Sequence, residues 1–208
     1  MCSIIGSFSR EKLKELAKLN EYRGQYSHSL YVFDDNKQAV YKHKQKGALD
    51  IDAHVLPKGY MIAHQQAPTY ENKNKDNIHP SEIENTYLWH NGIVKSSNIG
   101  YLKSLLNICE SWDTRLIHLI FKAGLPLDEI DGTFACVGVI SNKMYFFTNE
   151  ICPLFINSKG DISSTKFEDS KRLEPNIIHE VNYNSINRSI ELTMKSKFKT
   201  KENPYFFI

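Results

Sequence analysis

The sequence predicts an α+β fold in which two packed sheets are covered by helices. Strand-like apolar runs fill both ends of the chain, and a pair of helical stretches separates them. Strands and helices do not alternate as they would around a parallel sheet. A chain of 208 residues is long enough to bury one substantial core. We therefore predict a single domain over residues 1–208.

The first third reads as a strand, a helix and a pair of strands. Residues 3–6 are a short apolar strand, and Ser9 can cap a helix from Arg10 to Leu19 because apolar residues recur there at helical spacing. Two strand-like runs at 30–33 and 39–41 flank the polar turn 34–37. We predict a loop with one short helix over residues 42–58.

The next segment is predicted to hold two buried strands on either side of a long loop. Residues 59–64 are apolar and end at Gln65 and Gln66, and residues 70–85 are polar. Residues 87–90 then run as a strand into Asn91 and Gly92. An Asn-Gly pair is a strong hairpin signal, so a turn at this position is an equal alternative to a functional role.

Two helices and a second set of strands follow. The apolar spacing predicts a helix over 98–109, with Cys109 on its apolar face, and a second helix that Asp113 or Ser111 could cap and that Gly124 ends. Residues 134–140 and 144–148 predict a buried hairpin. Shorter strands and a basic tail are expected beyond it.

Bulk composition excludes several classes of function. Hydrophobic residues make up 41% and charged residues 24%, and the net charge is only +2, so no basic nucleic-acid surface is indicated. No apolar run approaches the roughly 18 residues of a membrane span, and the charged residues 10–12 exclude a signal peptide. We predict a cytoplasmic protein without nucleic-acid or membrane partners. Three of the four cysteines are expected to be inert core thiols.

A cysteine directly follows the initiator methionine. Removal of Met1 leaves Cys2 as the first residue, with a free α-amine beside its thiol. The α-amine has an ordinary pKa of about 7.7 to 8.0, so near neutral pH it can accept the thiol proton. This is the arrangement of an N-terminal nucleophile. The alternative is an ordinary first strand that happens to contain a cysteine.

Several short segments over residues 1–165 match the motifs of one family in order and spacing. They are Met-Cys-Ser-Ile-Ile-Gly (1–6), Tyr-Arg-Gly-Gln (22–25), Ala-His with Pro-Thr (63–69), His-Asn-Gly-Ile (90–93), Ser-Trp-Asp-Thr (111–114), Asp-Gly-Thr-Phe-Ala (131–135) and the segment 149–154. They resemble the class II glutamine amidotransferases, whose glutaminase domain is an N-terminal nucleophile (Ntn) hydrolase. The resemblance implies a four-layer αββα sandwich of two mainly antiparallel sheets.

The resemblance also implies roles for particular residues. Cys2 would attack the side-chain amide of glutamine, form a γ-glutamyl thioester and release ammonia. Asn91 and Gly92 would donate hydrogen bonds to the oxyanion. Removal of one such donor typically costs roughly 3 to 4 kcal/mol of transition-state stabilisation. Asp113 would bind the substrate α-ammonium, with a plain helix cap as the alternative. The further substrate-binding residues that we predict are Gln66, His64, Arg23 and Thr69.

The sequence departs from the family pattern where the substrate carboxylate should bind. The family's arginine falls on Gln66 or Gln65, and a neutral contact is about half as strong as a charge-assisted one. Arg23, Lys73 or Lys75 could substitute. Ser3 replaces a glycine and Arg115 an acidic residue. Two alternatives therefore stay open, namely a weak or inactive relative that acts as a binding or regulatory subunit, and an amidohydrolase for another amide or γ-glutamyl substrate.

No cofactor or metal is predicted. His64, His79 and His90 lack the spacing of a metal motif, and no glycine-rich phosphate loop is present. The expected partners are glutamine or a related amide and a separate ammonia-accepting synthase, because no acceptor domain follows in the chain.

Overall fold

The structure is a computed structural model that describes residues 2–67 and 77–201, and it consists of two sheets and three α-helices. The first sheet contains β1 (Ser3–Ser7), β2 (Ser27–Phe33), β3 (Ala39–Lys46), β4 (Tyr60–Gln66), β9 (Phe155–Ile156), β10 (Ile162–Ser163) and β11 (Lys171–Arg172). The second contains β5 (Ser81–Ile83), β6 (Thr86–Val94), β7 (Gly132–Ile140), β8 (Lys143–Thr148), β12 (Ile177–Asn184) and β13 (Ser189–Lys197). The helices are α1 (Arg10–Leu19), α2 (Ser96–Leu106) and α3 (Asp113–Lys122), with short 3-10 turns at Glu21–Arg23 and Leu127–Glu129.

Both sheets are antiparallel. The first has the strand order β11-β9-β10-β1-β4-β2-β3, and the second β13-β12-β8-β7-β6-β5. Strand β1 lies inside its sheet between β4 and β10, with Ser3 opposite Gln65. The residue before β1 therefore lies at the end of a central strand rather than at a free edge.

Three apolar clusters identify four layers. Ile4, Tyr31 and Phe33 of the first sheet pack against Trp89 and Phe146 of the second, and this cluster lies between the sheets. A second cluster joins α1 to the outer face of the first sheet, and a third joins α2 and α3 to the outer face of the second. Alternate strand residues face opposite sides, so each sheet supplies two clusters. The predicted αββα sandwich of the Ntn hydrolase type is confirmed.

The first helix forms where the sequence predicts it. Ser9 is the N-cap, its hydroxyl accepting from the backbone N–H of Lys12, and Leu13, Leu16 and Ala17 are buried. Capping and apolar spacing together fix this helix from local sequence alone.

The prediction of a loop over 42–58 is wrong in its first part. Strand β3 continues to Lys46, beyond the predicted end at residue 41. Its residues are polar and half-exposed because it is the edge strand of its sheet, so the apolar alternation that marks a strand is missing.

The hairpin alternative at Asn91 and Gly92 is also wrong. Strand β6 continues through both residues to Val94 and pairs with β7 over its whole length. Long-range pairing with a strand some forty residues later overrides the local turn signal.

The helix predicted over 98–109 is shifted in the structure. Helix α2 runs from Ser96 to Leu106 and ends at Asn107, which has a left-handed conformation. Cys109 follows that end and is exposed, so it is not the core thiol expected from the sequence. Among the described residues, no helix is both long and apolar enough to cross a bilayer.

Candidate active site

One cavity brings together predicted site residues that lie far apart in the sequence. It has a volume of about 460 Å³, and Cys2, Gly92 and Asp113 line it. The other described residues of its wall are Asn77, His79, His90, Ile93, Val94, Ser96, Ile99, Ser111, Trp112 and Thr114. Asp113 is the one carboxylate of this described wall, and no lysine or arginine belongs to it. The volume falls in the range of small-ligand sites.

Cys2 precedes β1 and makes contacts with Arg23 and Ala67. The Nε of Arg23 donates to the carbonyl oxygen of Cys2 at 2.9 Å, and the Sγ of Cys2 lies 3.9 Å from the carbonyl oxygen of Ala67. A Cβ on Gly24 would lie 2.4 Å from the backbone N of Ala67, so only glycine permits this approach. Arg23 thus contacts Cys2 directly, and Gly24 permits the close approach of Ala67, whose carbonyl oxygen lies near the Sγ of Cys2.

Gly92 has a backbone that other residues rarely adopt. Its φ is +148°, and a Cβ there would lie 1.8 Å from the carbonyl oxygen of Thr133 and 2.8 Å from Nε2 of His90. Both the dihedral angle and the close approach to β7 require glycine. The bare backbone of Gly92 forms part of the cavity wall.

Asn91 points between the sheets. Its side chain is 3% exposed, and its Nδ2 donates to the hydroxyl of Ser164 at 3.3 Å. That hydroxyl also accepts from the backbone N of Ile4 at 3.0 Å. Ser164 therefore links Asn91 in the second sheet to β1 in the first. An amide NH₂ carries two hydrogens, so one remains for another acceptor.

Asp113 begins α3 and takes part in a polar network. Its Oδ1 accepts from the backbone N of Thr114 at 2.8 Å, and its Oδ2 accepts from the backbone N of Val94 at 3.4 Å and lies 3.9 Å from Nδ1 of His90. The N-cap residue is Trp112, which makes no side-chain capping bond. Asp113 therefore satisfies backbone donors at a helix start, and its side chain also lines the cavity.

Three described residues that were predicted to bind substrate, Gln66, His64 and Arg23, are not members of the cavity wall. The fully buried Gln66 donates from Nε2 to the carbonyl oxygen of Asn77, and its Oε1 accepts from Ser27. His64 is also fully buried, with its Nε2 3.3 Å from the carbonyl oxygen of His90. Thr69, together with Lys73 and Lys75, lies outside the described residues.

Two histidines and a threonine of the wall were missed as site residues by the sequence reasoning. Oγ1 of Thr114 lies 2.8 Å from Nε2 of His79 and 3.3 Å from Nδ1 of His90. In the sequence, Thr114 belongs to a motif that assigns it no role, and the histidines lack the spacing of a metal site. Their convergence depends on pairing between distant segments, which no spacing rule encodes.

Two of the remaining cysteines have the properties of inert thiols. Burial raises the pKa of Cys136 well above its ordinary value and also raises that of Cys152. A raised pKa keeps a thiol protonated and unreactive. Among the described residues of the cavity wall, Cys2 is the only thiol.

No protein-family model and no curated protein matches this sequence. Solved structures do match. A glutamine phosphoribosylpyrophosphate (PRPP) amidotransferase from B. subtilis, complexed with ADP and GMP, aligns with a TM-score of 0.68 and 18% identity. A structure described as the allosteric regulatory enzyme of purine biosynthesis aligns with a TM-score of 0.68 and 19% identity. Each alignment covers 94% of this chain and 49% of the other.

The chain therefore spans about half the length of these two proteins and shares their fold over that half. At this level of identity the comparison shows the fold alone. It agrees with the Ntn sandwich that the sequence motifs predict, because each alignment covers 94% of this chain.

Proposed function

We propose that this chain, which has the fold of a PRPP amidotransferase over nearly its whole length, is an Ntn-type glutaminase that hydrolyses the side-chain amide of glutamine. The observation that carries the proposal is the shared cavity, in which the thiol-bearing residue after Met1, the glycine of an Asn-Gly pair and a carboxylate line one pocket. Nucleophile, oxyanion donor and ammonium acceptor are the three groups that amide hydrolysis of an amino acid requires.

The reaction begins at Cys2. Its α-amine, freed by removal of Met1, accepts the thiol proton while sulfur attacks the amide carbon. The oxyanion forms opposite the second hydrogen of Asn91 Nδ2 and the backbone N–H of Gly92. The protonated amine then gives its proton to the departing nitrogen, and ammonia leaves a γ-glutamyl thioester. Water attacks the thioester, glutamate leaves, and the thiol regains its proton.

Asp113 would select an amino acid over a simple amide. A substrate α-ammonium can donate to its half-buried carboxylate in a charge-assisted hydrogen bond. Binding of the substrate carboxylate is weaker in this proposal, because Gln66 replaces the family's arginine and its amide is engaged inside the protein. Ammonia would then pass to an acceptor protein.

The test starts from protein of known N-terminus. Intact-mass measurement establishes removal of Met1, and ammonia release is then measured with glutamine, asparagine and simple amides. We expect release from glutamine and none from the Cys2→Ala variant. Cys109→Ser is the matched control, because that thiol is exposed and lies outside the described cavity wall. Hydroxylamine should divert the thioester to γ-glutamyl hydroxamate.

Retention of Met1, or equal activity of Cys2→Ala, contradicts the proposal. Cleavage of another amide at the expense of glutamine favours the amidohydrolase alternative. The absence of the family's arginine at Gln66 favours the alternative of a binding or regulatory subunit. This alternative predicts that protein without Met1 binds glutamine but does not hydrolyse it. Calorimetry with glutamine separates this outcome from absence of any binding.

A further inference from the structure

Three histidines that the proposed reaction does not use meet on the outer face of the first sheet. His28 lies in β2, His43 in β3 and His54 in the segment that follows. In the β2–β3 ladder, His28 is opposite Gln45 and Leu30 is opposite His43. Residues two apart on a strand share a face, so His28 and His43 point to the same side.

The three rings are close enough to share one ion. One nitrogen from each ring lies within 4.8 Å of the others. The ring centroids of His28 and His43 are 5.4 Å apart, and those of His43 and His54 are 4.4 Å apart. Among the described residues, this is the only group of three or more histidine, cysteine, aspartate or glutamate side chains with such geometry.

His28 has a buried nitrogen that points to a ligand. Its side chain is 4% exposed, and its Nδ1 lies 2.9 Å from the carbonyl oxygen of Gly47. A carbonyl only accepts, so Nδ1 carries the proton and Nε2 presents a lone pair. That Nε2 is buried and has no hydrogen-bond partner among the described residues. A buried polar atom without a partner costs free energy and requires an explanation.

His54 is oriented in the manner of a metal ligand. Its Nδ1 lies 2.8 Å from the hydroxyl of Tyr41, and in the tautomer in which Nδ1 donates to that hydroxyl, Nε2 presents a lone pair to a ligand.

We infer that His28, His43 and His54 form a Zn²⁺-binding site. Three imidazoles suit zinc, which takes nitrogen ligands in a tetrahedron and completes it with water. Tetrahedral coordination at about 2.0 Å brings the nitrogens to about 3.3 Å from one another. The rings of His43 and His54 are only partly buried, so side-chain rotation supplies this contraction.

The ion would clip the segment 47–59 onto the sheet. This segment links β3 to β4, and its Ile51 is buried against the cluster beneath α1. His54 is the ligand from the segment, whereas His28 and His43 belong to the strands. A metal that joins the two adds a covalent-like constraint to the apolar contacts of Ile51 and to the polar contacts that Arg10 and Lys14 make with this segment.

The experiment is a titration of the full chain, freed of any affinity tag, with zinc chloride against a chromophoric chelator. We expect one equivalent to bind, and His43→Ala or His54→Ala to weaken binding by at least about tenfold. Tyr41→Phe removes only the partner of His54, so about tenfold weakening by this variant distinguishes an organised site from imidazoles that meet by chance.

Two controls separate this site from other zinc ligands. Within residues 2–67 and 77–201, His179 has a buried nitrogen without a hydrogen-bond partner and belongs to no group of metal-binding side chains, so His179→Ala should bind zinc as the parent does. Cys2→Ala should also bind normally, so that failure of the glutaminase proposal leaves this result unaffected. Absence of zinc binding in the parent, or unchanged binding in His43→Ala and His54→Ala, overturns the inference.

Limited proteolysis tests whether zinc holds the segment 47–59 on the first sheet. Zinc should slow cleavage within residues 47–59 of the parent several-fold and leave cleavage of His43→Ala unchanged. Zinc binding that does not alter cleavage of the parent contradicts the clip.

Discussion

Gly92 illustrates how one residue can be fixed by backbone geometry and by chemistry together. Its φ of +148° and its contact with the carbonyl oxygen of Thr133 leave no room for a side chain. The same bare backbone is exposed to the cavity beside Cys2. A donor that must approach an oxyanion is best provided by a backbone N–H that no side chain covers.

Gly92→Ala should reduce stability and activity together. The clash and the unfavourable dihedral angle are expected to lower the free energy of unfolding by at least about 2 kcal/mol. Gly100→Ala is the matched control, since nothing lies within 4 Å of its added Cβ and it lies inside α2. That variant should gain about 0.5 to 1 kcal/mol. Urea denaturation measures both, and equal stability of the two variants would contradict the argument.

Asn91→Ala should affect turnover far more than stability. Loss of one oxyanion donor is expected to lower kcat by about 100- to 1,000-fold. Ser164→Ala removes the hydrogen bond that orients Asn91 while keeping its amide, so a smaller loss is expected. Steady-state ammonia release measures both variants. A kcat of Asn91→Ala within threefold of the parent would exclude this residue from the oxyanion site.

At the scale of elements, α3 is joined to the second sheet by a buried histidine. His118 lies 2.9 Å from the hydroxyl of Thr86 and 3.0 Å from that of Ser81, between α3 and the β5–β6 pair. Burial lowers the pKa of His118 to about 3, and the charges of Arg115 and Lys122 contribute. The helix therefore packs on the sheet through a neutral imidazole.

This interface should weaken in acid. The folded pKa of His118 lies below the ordinary value near 6.5, so the unfolded chain binds the extra proton. Stability is fully present above about pH 6.5 and is lost as the pH falls toward 3. Between pH 6.5 and 5, this group alone accounts for up to about 2 kcal/mol. Urea denaturation of His118→Asn should show a shallower loss than the parent, and equal slopes would contradict the assignment.

Local signals predicted some elements well and failed at others for identifiable reasons. Helix α1 has an apolar stripe within its ten residues and the cap Ser9 directly before them, so its ends could be predicted. Strand β3 is polar because it lies at an edge, and the Asn-Gly pair in β6 is extended because β7 pairs with it. The αββα order followed from the motif resemblance.

Sequence motifs predicted some residues of the candidate site but not others. Cys2, Gly92 and Asp113 line one cavity, but His79 and Thr114 required the fold to bring them there. The histidines of the zinc site, at positions 28, 43 and 54, form no sequence motif. Their proximity arises from strand register, which a single sequence does not determine.

At the scale of the whole molecule, the two sheets share one apolar cluster and should unfold together. The indole of Trp89 is fully buried between them, near the rings of Tyr31 and Phe33, and its Nε1 donates to Ser29 of the opposite sheet. An interface of this kind makes separate unfolding of either sheet costly, because each would expose its inner face.

Trp112→Phe creates a direct test, since the chain has only two tryptophans. Fluorescence of this variant reports on Trp89 between the sheets, whereas far-ultraviolet circular dichroism reports on all strands. We expect the two denaturation curves to have the same midpoint, as in a two-state transition. Separate midpoints would show that the sheets are independent. Trp89→Phe, which keeps a ring but loses volume and a hydrogen bond, should lower the common midpoint.

Ser164 accepts hydrogen bonds from Ile4 in one sheet and from Asn91 in the other. The thiol of Cys2 and the side-chain amide of Asn91, which are proposed to act on one carbonyl, are therefore attached to different sheets. Any sliding of one sheet against the other changes the distance between these two groups, although neither residue has been substituted. Turnover should consequently respond to substitutions of residues that are packed between the two sheets, outside the cavity wall.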